Sequence, residues 1–143
     1  MVRINLINPK FLSDQHLIAE YDEILMLLGY VKRFPIIKKG EIPKNYCLGK
    51  GHIRFFKNKL LYLQKRHELI KKEMRKRGFK TEITINLKGF DKILINDFSP
   101  SKKDKEIIKK RIIEKLNKKP DYYRYYRKYV GLDKLVNLIK KSD

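Results

Sequence analysis

Apolar residues recur along this chain at intervals of three and four over four separate stretches, the spacing that lines one side of an α-helix. The first stretch follows Ser13, a helix-capping residue type, with Asp14 in the first turn where a negative charge suits the helix dipole. It carries Leu17, Ile18, Tyr21, Ile24, Leu25 and Leu28, and Gly29 predicts its end. The second is the strongest: positions 53, 56, 60, 63, 67, 70 and 74 predict a long central core helix over 53–77, closed by Gly78. The third opens at Ser101, with Asp104 spaced as its capping partner, and carries Ile107, Ile108, Ile112, Ile113 and Leu116 before stopping ahead of Pro120. The last, with Leu132, Leu135, Val136, Leu138 and Ile139, predicts a short amphipathic helix. Between 81 and 98 the run Glu82-Ile83-Thr84-Ile85-Asn86-Leu87 alternates polar and apolar, which allows a short strand or an ordered loop. Residues 2–7 read as a short extended or irregular segment, with a turn at Asn8-Pro9. The expected fold is mainly α: a single compact domain of three to four helices around a long central helix, with irregular loops and at most one short strand.

Composition adds a partner to this picture. Lys and Arg number 36 against 16 Asp and Glu, a net charge of +20 spread along all 143 residues. Such a surplus repels itself unless a polyanion neutralises it, so nucleic acid is the leading partner. An anionic membrane surface is the weaker alternative, because no segment approaches about 18 uncharged apolar residues; background in a Lys-rich, Ile-rich proteome is the bland one. A hydrophobic content of 42% fits a folded chain rather than a basic tail. Cys47, the single cysteine, excludes an intramolecular disulfide and reads as a small buried hydrophobe. With His16, His52 and His67 scattered, no metal cluster of familiar spacing exists, and neither metal nor small-molecule cofactor is expected. The start of the chain has no signal-peptide pattern, so an intracellular, cytoplasmic protein is expected; a monomer is also expected.

Three stretches hold candidate chemistry. Removal of Met1 would leave a free α-amine on Val2, beside Arg3. Such an amine has an ordinary pKa of about 7.7–8.0 and is partly unprotonated and nucleophilic near neutral pH. Glu23 is a candidate carboxylate partner, since His16, Glu20, Glu23 and Leu27 share a helix face beside the core stripe; a solvated helix edge is the other reading. Gly49-Lys50-Gly51-His52 follows a basic loop over 30–50 and would let a phosphate approach the backbone, although its spacing matches no established phosphate-binding loop. Arg111 and Lys115 are one turn apart, placed to grip adjacent phosphates or simply solvated. Finally, 121–129 packs five of the nine tyrosines among Arg124, Arg127 and Lys128. Aromatic faces that stack on bases beside cations that neutralise phosphates make a nucleic-acid surface; tyrosines covering a core make the alternative.

Four ordered blocks give these stretches a common meaning. They are Arg3-Ile4-Asn5-Leu6; Asp14-Gln15-His16-Leu17 with Ala19-Glu20-Tyr21 and Glu23; Leu48-Gly49, Gly51-His52, Phe55-Phe56 and Lys59-Leu60 running on to Arg77-Gly78-Phe79; and Pro120, Tyr123, Tyr125 and Tyr126. In them the chain resembles the pyrimidine-dimer DNA glycosylase/AP lyase family. The resemblance covers 2 to about 129 and implies a glycosylase/AP lyase domain over 1–129, with 130–143 as a helical extension packed on it. It further implies that the Val2 amine attacks the sugar C1′ of a damaged nucleotide in duplex DNA, that an imine forms, and that β-elimination nicks the strand. Glu23 matches the family's catalytic carboxylate. Arg3 and His16 match residues lining the site, Gln15 a helix-start residue beside them, and Arg111 and Lys115 its phosphate-binding cations. Tyr122, Tyr123, Arg124, Tyr125 and Tyr126 match its aromatic recognition segment, with Tyr122 in place of a tryptophan. Asp22 and Met26 stand where the family carries DNA-contacting arginines, leaving Lys32 and Arg33 as candidate substitutes. The alternatives are a family member acting on another damaged base, and a non-catalytic basic nucleic-acid-binding protein.

Overall fold

The structure, a computed structural model, describes residues 3–143. Five α-helices follow in order: α1 (Asp14–Arg33), α2 (Gly51–Phe56), α3 (Leu60–Lys76), α4 (Lys102–Lys118) and α5 (Leu132–Lys141), with single 3-10 turns at Pro9–Phe11 and Lys92–Leu94. The fold is mainly α, and no strand occurs among the described residues.

Two helix boundaries differ from the sequence pattern. α1 opens where its cap predicts, with the Ser13 hydroxyl accepting from the His16 N–H, but it runs through Gly29 to Arg33. Glycine inside a helix costs about 1 kcal/mol relative to alanine. Continuing the helix buries Val31 one turn beyond Leu27, worth about 1.5–3 kcal/mol, so the helix continues. It stops at Phe34, which precedes Pro35 and is thereby disfavoured from helical geometry. The expected central helix is divided in two at residues 57–59. The bond that would join the halves, from Tyr62 N–H to the Asn58 carbonyl, is replaced on both sides by Asn96. Tyr62 N–H donates to the Asn96 carbonyl at 3.3 Å, and the Asn96 side-chain amide donates to the Asn58 carbonyl at 2.8 Å. Lys57, at the break, is drawn inward to the Ile36 carbonyl and the Glu41 carboxylate and so fastens the 34–50 loop.

The expected end of that helix is kept. Gly78 takes φ +87, which lets its N–H reach the Arg75 carbonyl and the Phe79 N–H reach the Met74 carbonyl. The 81–98 stretch is an ordered loop over α3 rather than a strand. Gln64 donates to the Ile85 carbonyl, Lys71 to the Thr84 hydroxyl, and the Tyr21 hydroxyl accepts from Ile83 N–H, so side chains satisfy it where a strand partner would have. α4 begins with the expected Ser101–Asp104 capping box. α5 packs on α4, placing Leu135 and Ile139 in the same core as Ile108, Ile112 and Leu116.

α1 and α3 pack together, and two buried ion pairs register them. Glu20, fully buried, receives Arg66 through two guanidinium nitrogens at 2.7 and 3.0 Å. Near the other end, Arg77 donates to Asp14 at 3.0 Å, to Glu73 at 2.8 Å and to the Leu12 carbonyl at 2.7 Å. The Asp14 carboxylate also accepts the backbone N–H groups of Tyr126 and Arg127 at 3.1 and 2.7 Å. Those two residues have φ of +51 and +66, in a turn closed by paired hydrogen bonds between Tyr125 and Lys128. Non-glycine residues hold that geometry at a cost of about 1–3 kcal/mol each, so Asp14 is what makes this turn tenable. The consequence is that the tyrosine-rich segment is pinned against the N-terminus of α1.

Candidate active site

That pinning creates a cleft of about 220 Å³ lined by Arg3, Asn5, Gln15, His16, Ala19, Arg111, Lys115, Tyr122 and Tyr123. Four stretches of chain contribute to it: the N-terminal segment, the first turns of α1, the middle of α4, and the tyrosine-rich segment. Of the ten residues the sequence suggested for DNA or lesion binding, Arg3, Gln15, His16, Arg111, Lys115, Tyr122 and Tyr123 meet here. Asn5 and Ala19 are additions; nothing in their residue types singles them out, although both lie inside the matching N-terminal blocks.

Each wall has a local reason for its shape. Gln15 bonds the tyrosine segment by its backbone, donating to the Tyr122 carbonyl at 3.2 Å and accepting from Arg124 N–H at 2.9 Å. The Arg124 carbonyl in turn accepts from Asp14 N–H, an otherwise unsatisfied donor at the start of α1. Gln15 thus sets the position of Tyr122 and Tyr123. The Tyr123 ring lies parallel to His16, with centroids 4.8 Å apart and planes 7° apart. His16 Nδ1 lies 2.9 Å from the Ser13 hydroxyl, which already accepts the His16 N–H and is free to donate its own proton to the ring. Nε2–H is then the side of His16 left for a ligand. Burial, followed by Arg111 and Lys115, lowers the His16 pKa to about 4, so the ring is neutral at physiological pH. Tyr122 stands at the rim, exposed and edge-on to Tyr123.

The cleft is strongly positive. Arg111 and Lys115 share one face of α4, a like-charge i,i+4 pair that destabilises the helix by a few tenths of a kcal/mol. Burial and the neighbouring Arg3 push the Arg111 pKa down, and Arg111 together with Lys118 pushes Lys115 down. Their combined positive charge favours an anion in the cleft. Beyond Ala19, one turn further along the same face of α1, lies Glu23, only 7% exposed. Desolvation raises its pKa above the ordinary carboxylate range, with Arg3 opposing and Glu20 adding to the rise. The face read as a possible solvated edge is therefore buried at Glu20 and Glu23, and the two acids differ: Glu20 is neutralised by Arg66, whereas Glu23, one turn beyond the cleft residue Ala19, has a raised pKa.

Other expected site residues lie elsewhere. Val2 is outside the described residues. Arg124 turns its guanidinium onto the Tyr129 ring and the Asp121 carbonyl. Tyr125 and Tyr126 do not reach the cleft: both rings flank the Arg77 guanidinium at 4.7 Å, with hydroxyls bonded to the Lys10 carbonyl and Glu73. Burying Arg77 requires partners on every side, and these two tyrosines supply them. Of the two glycines flanking Lys50, Gly49 is exposed with open space beside it. A Cβ on Gly51 would lie 2.7 Å from Cys47 Sγ, so this glycine serves close packing. Cys47 itself is half-buried and free. Among the described residues no group of three or more His, Cys, Asp or Glu could hold a metal, and no helix is long and apolar enough to cross a membrane.

A cationic, aromatic-walled cleft in a helical domain offers counter-charge and stacking faces together. The family model described as pyrimidine dimer DNA glycosylase matches residues 1–87. The chain belongs to that family of DNA repair enzymes. The match includes Arg3, Gln15, His16 and Glu23; Arg111, Lys115 and the tyrosine segment lie beyond it.

Proposed function

We propose that the protein is a bifunctional DNA glycosylase and AP lyase that uses the α-amine of Val2, after removal of Met1, on a damaged pyrimidine in duplex DNA. One observation carries this reading: residues 3–7 are all buried, and Arg3, the neighbour of the proposed amine in sequence, lines the cationic cleft.

In the proposed reaction the amine nitrogen bonds to the sugar C1′ as the glycosidic bond breaks, its electron pair leaving with the base. The nitrogen lone pair then opens the sugar ring to an imine, which acidifies C2′–H; loss of that proton expels the 3′ phosphate oxygen and nicks the strand. Water releases the protein from the imine. Glu23, ionised, stabilises the cationic sugar and iminium and relays protons. Arg3, Arg111 and Lys115 bind the flanking phosphates, and the neutral His16 donates through Nε2–H. Tyr122 and Tyr123 offer faces for the distorted bases; a crosslinked pyrimidine pair stacks poorly, which lowers the cost of distortion. The domain assignment, 1–129 for catalysis with 130–143 as its helical extension, follows the same reading.

Borohydride trapping on duplexes carrying a pyrimidine dimer, an abasic site or an oxidised base tests nucleophile and substrate together. A covalent complex with the dimer and abasic duplexes is expected from protein lacking Met1, with strand cutting abolished in Glu23→Gln. No trapped complex with any duplex would overturn the chemistry and leave a non-catalytic DNA-binding protein, recognised by salt-sensitive binding without cleavage. A specific observation favours including the oxidised base: Asp22 and Met26, the latter 69% exposed, occupy the solvent face of α1 beside Glu23. An acid there repels phosphate, so DNA contact along α1 shifts to its last turn, where Lys32 and Arg33 lie.

A further inference from the structure

Residues 3–7 belong to no helix, yet all five are buried, and side chains from distant parts of the chain grip their backbone. Ile4 is held at both polar groups. Its N–H donates to His52 Nε2 at 3.0 Å, and its carbonyl accepts from the Tyr46 hydroxyl at 3.0 Å. His52 is itself aimed, because Nδ1 lies 2.9 Å from the Cys47 carbonyl and must donate there, which leaves Nε2 as the acceptor that Ile4 needs. The ring is fully buried, and burial lowers its pKa to about 4, so it keeps this acceptor at neutral pH. Gly51 permits the approach of the 47–52 turn that presents it. Two residues on, Leu6 takes φ +59 while Ile7 N–H closes onto the Asn5 carbonyl at 2.6 Å, a three-residue turn of the strained kind. Arg66 and Glu20 hold that turn through the Ile7 carbonyl and the Asn5 side chain. Strained backbone held this thoroughly marks a segment whose position matters.

We propose that Tyr46 and His52 are positioning residues for the reacting amine: by clamping both polar groups of Ile4 they fix the point from which residue 2 reaches the sugar. This rests on the amine chemistry proposed above. With consecutive Cα atoms about 3.8 Å apart, the nitrogen of residue 2 is confined to within about 8 Å of the clamped Ile4 peptide. Attack at C1′ needs reacting atoms about 3–3.5 Å apart, and a misplacement of about 1 Å costs up to about a hundredfold in rate. Neither side chain lines the cleft, and both are buried away from solvent.

The test compares single-turnover borohydride trapping on an abasic-site duplex, at saturating protein, with the dissociation constant for the same duplex by fluorescence anisotropy. Tyr46→Phe removes one hydroxyl, His52→Leu removes the acceptor, and His52→Gln restores an acceptor near Nε2. The expected result is trapping at least about tenfold slower in Tyr46→Phe and His52→Leu, affinity within about twofold of the parent, and partial rescue in His52→Gln. Trapping at the parental rate in folded Tyr46→Phe and His52→Leu would overturn the clamp while leaving the amine chemistry standing. Loss of affinity in parallel with trapping would also overturn it, since that marks a general structural role. Should His52→Leu fail to fold, Tyr46→Phe decides. A parent protein that traps nothing overturns the amine chemistry, and the clamp's purpose with it.

Discussion

Replacing Glu20 and Glu23 in turn by glutamine makes the same change of one oxygen for one amide at two buried carboxylates three residues apart, and the structure predicts opposite signs. The two oxygens of Glu20 take two guanidinium bonds from Arg66 and one from Asn5. In Glu20→Gln the new NH₂ faces a donor and Arg66 is left buried without its counter-charge. Breaking one side of a buried pair costs about 3–5 kcal/mol, a large part of the 5–15 kcal/mol that stabilises a typical domain. With a urea m-value of about 1–3 kcal/mol/M, the unfolding midpoint should fall by about 2 M. Glu23 is the reverse case. Its folded pKa is raised by burial, so the charged form is disfavoured on folding. Its contribution is fully present below the unfolded carboxylate pKa and is lost as pH rises through the folded one, which means the parent protein carries the penalty at pH 7. Glu23→Gln should therefore raise the midpoint at pH 7, by an amount that vanishes on acidification, while losing strand cutting. Urea unfolding of both variants at pH 7 and at pH 4 measures this. Equal losses in the two variants, or a loss below about 1 kcal/mol in Glu20→Gln, would refute the assignment of one acid to the fold and the other to the cleft.

Further consequences concern acid, salt and the pinned turn. His16, His52 and His67 each have a pKa lowered by burial to about 4, so stability is full above about pH 6.5 and drains as pH falls toward 4; His52, fully buried, accounts for about 3 kcal/mol of that loss. Thermal unfolding followed against pH should show a slope that His52→Gln flattens, and a variant curve parallel to the parent's would contradict it. Arg111→Gln and Lys115→Gln should each weaken DNA binding and reduce the log–log salt slope by about one, read by anisotropy titration at several salt concentrations; an unchanged slope would remove that cation from phosphate contact. Asp14→Asn takes one of two carboxylates from the buried Arg77, leaving Glu73, and weakens the acceptor of the Tyr126 and Arg127 N–H groups; it should cost about 1–3 kcal/mol in urea unfolding, whereas Tyr129→Phe, on an exposed ring, should cost under about 1 kcal/mol.

Much of this molecule is legible in short windows of the chain. Ser13 and Asp14 at the start of α1, the Ser101–Asp104 box, Gly78 after α3 and the stripe of α5 each act on residues within about four positions, and helix geometry brings those together whatever the rest of the chain does. The cationic, tyrosine-interleaved composition points to nucleic acid, and the blocks around Arg3, His16 and Glu23 carry the resemblance to a DNA repair family. What lay beyond that reading is the choice of partners for buried polar groups. Asn96 interrupts the central helix from 38 residues away, Arg66 takes Glu20 across 46, and Asp14 holds the Arg127 turn across 113. Tyr123 stacks on His16 while Tyr125 and Tyr126, two and three residues later, are turned to Arg77 by a backbone reversal that Asp14 stabilises. Periodicity says that a side chain faces inward; which group meets it there depends on every element packed around it. A desolvated charge must be matched or must shift its pKa: Arg66 matches Glu20, and burial raises the pKa of Glu23.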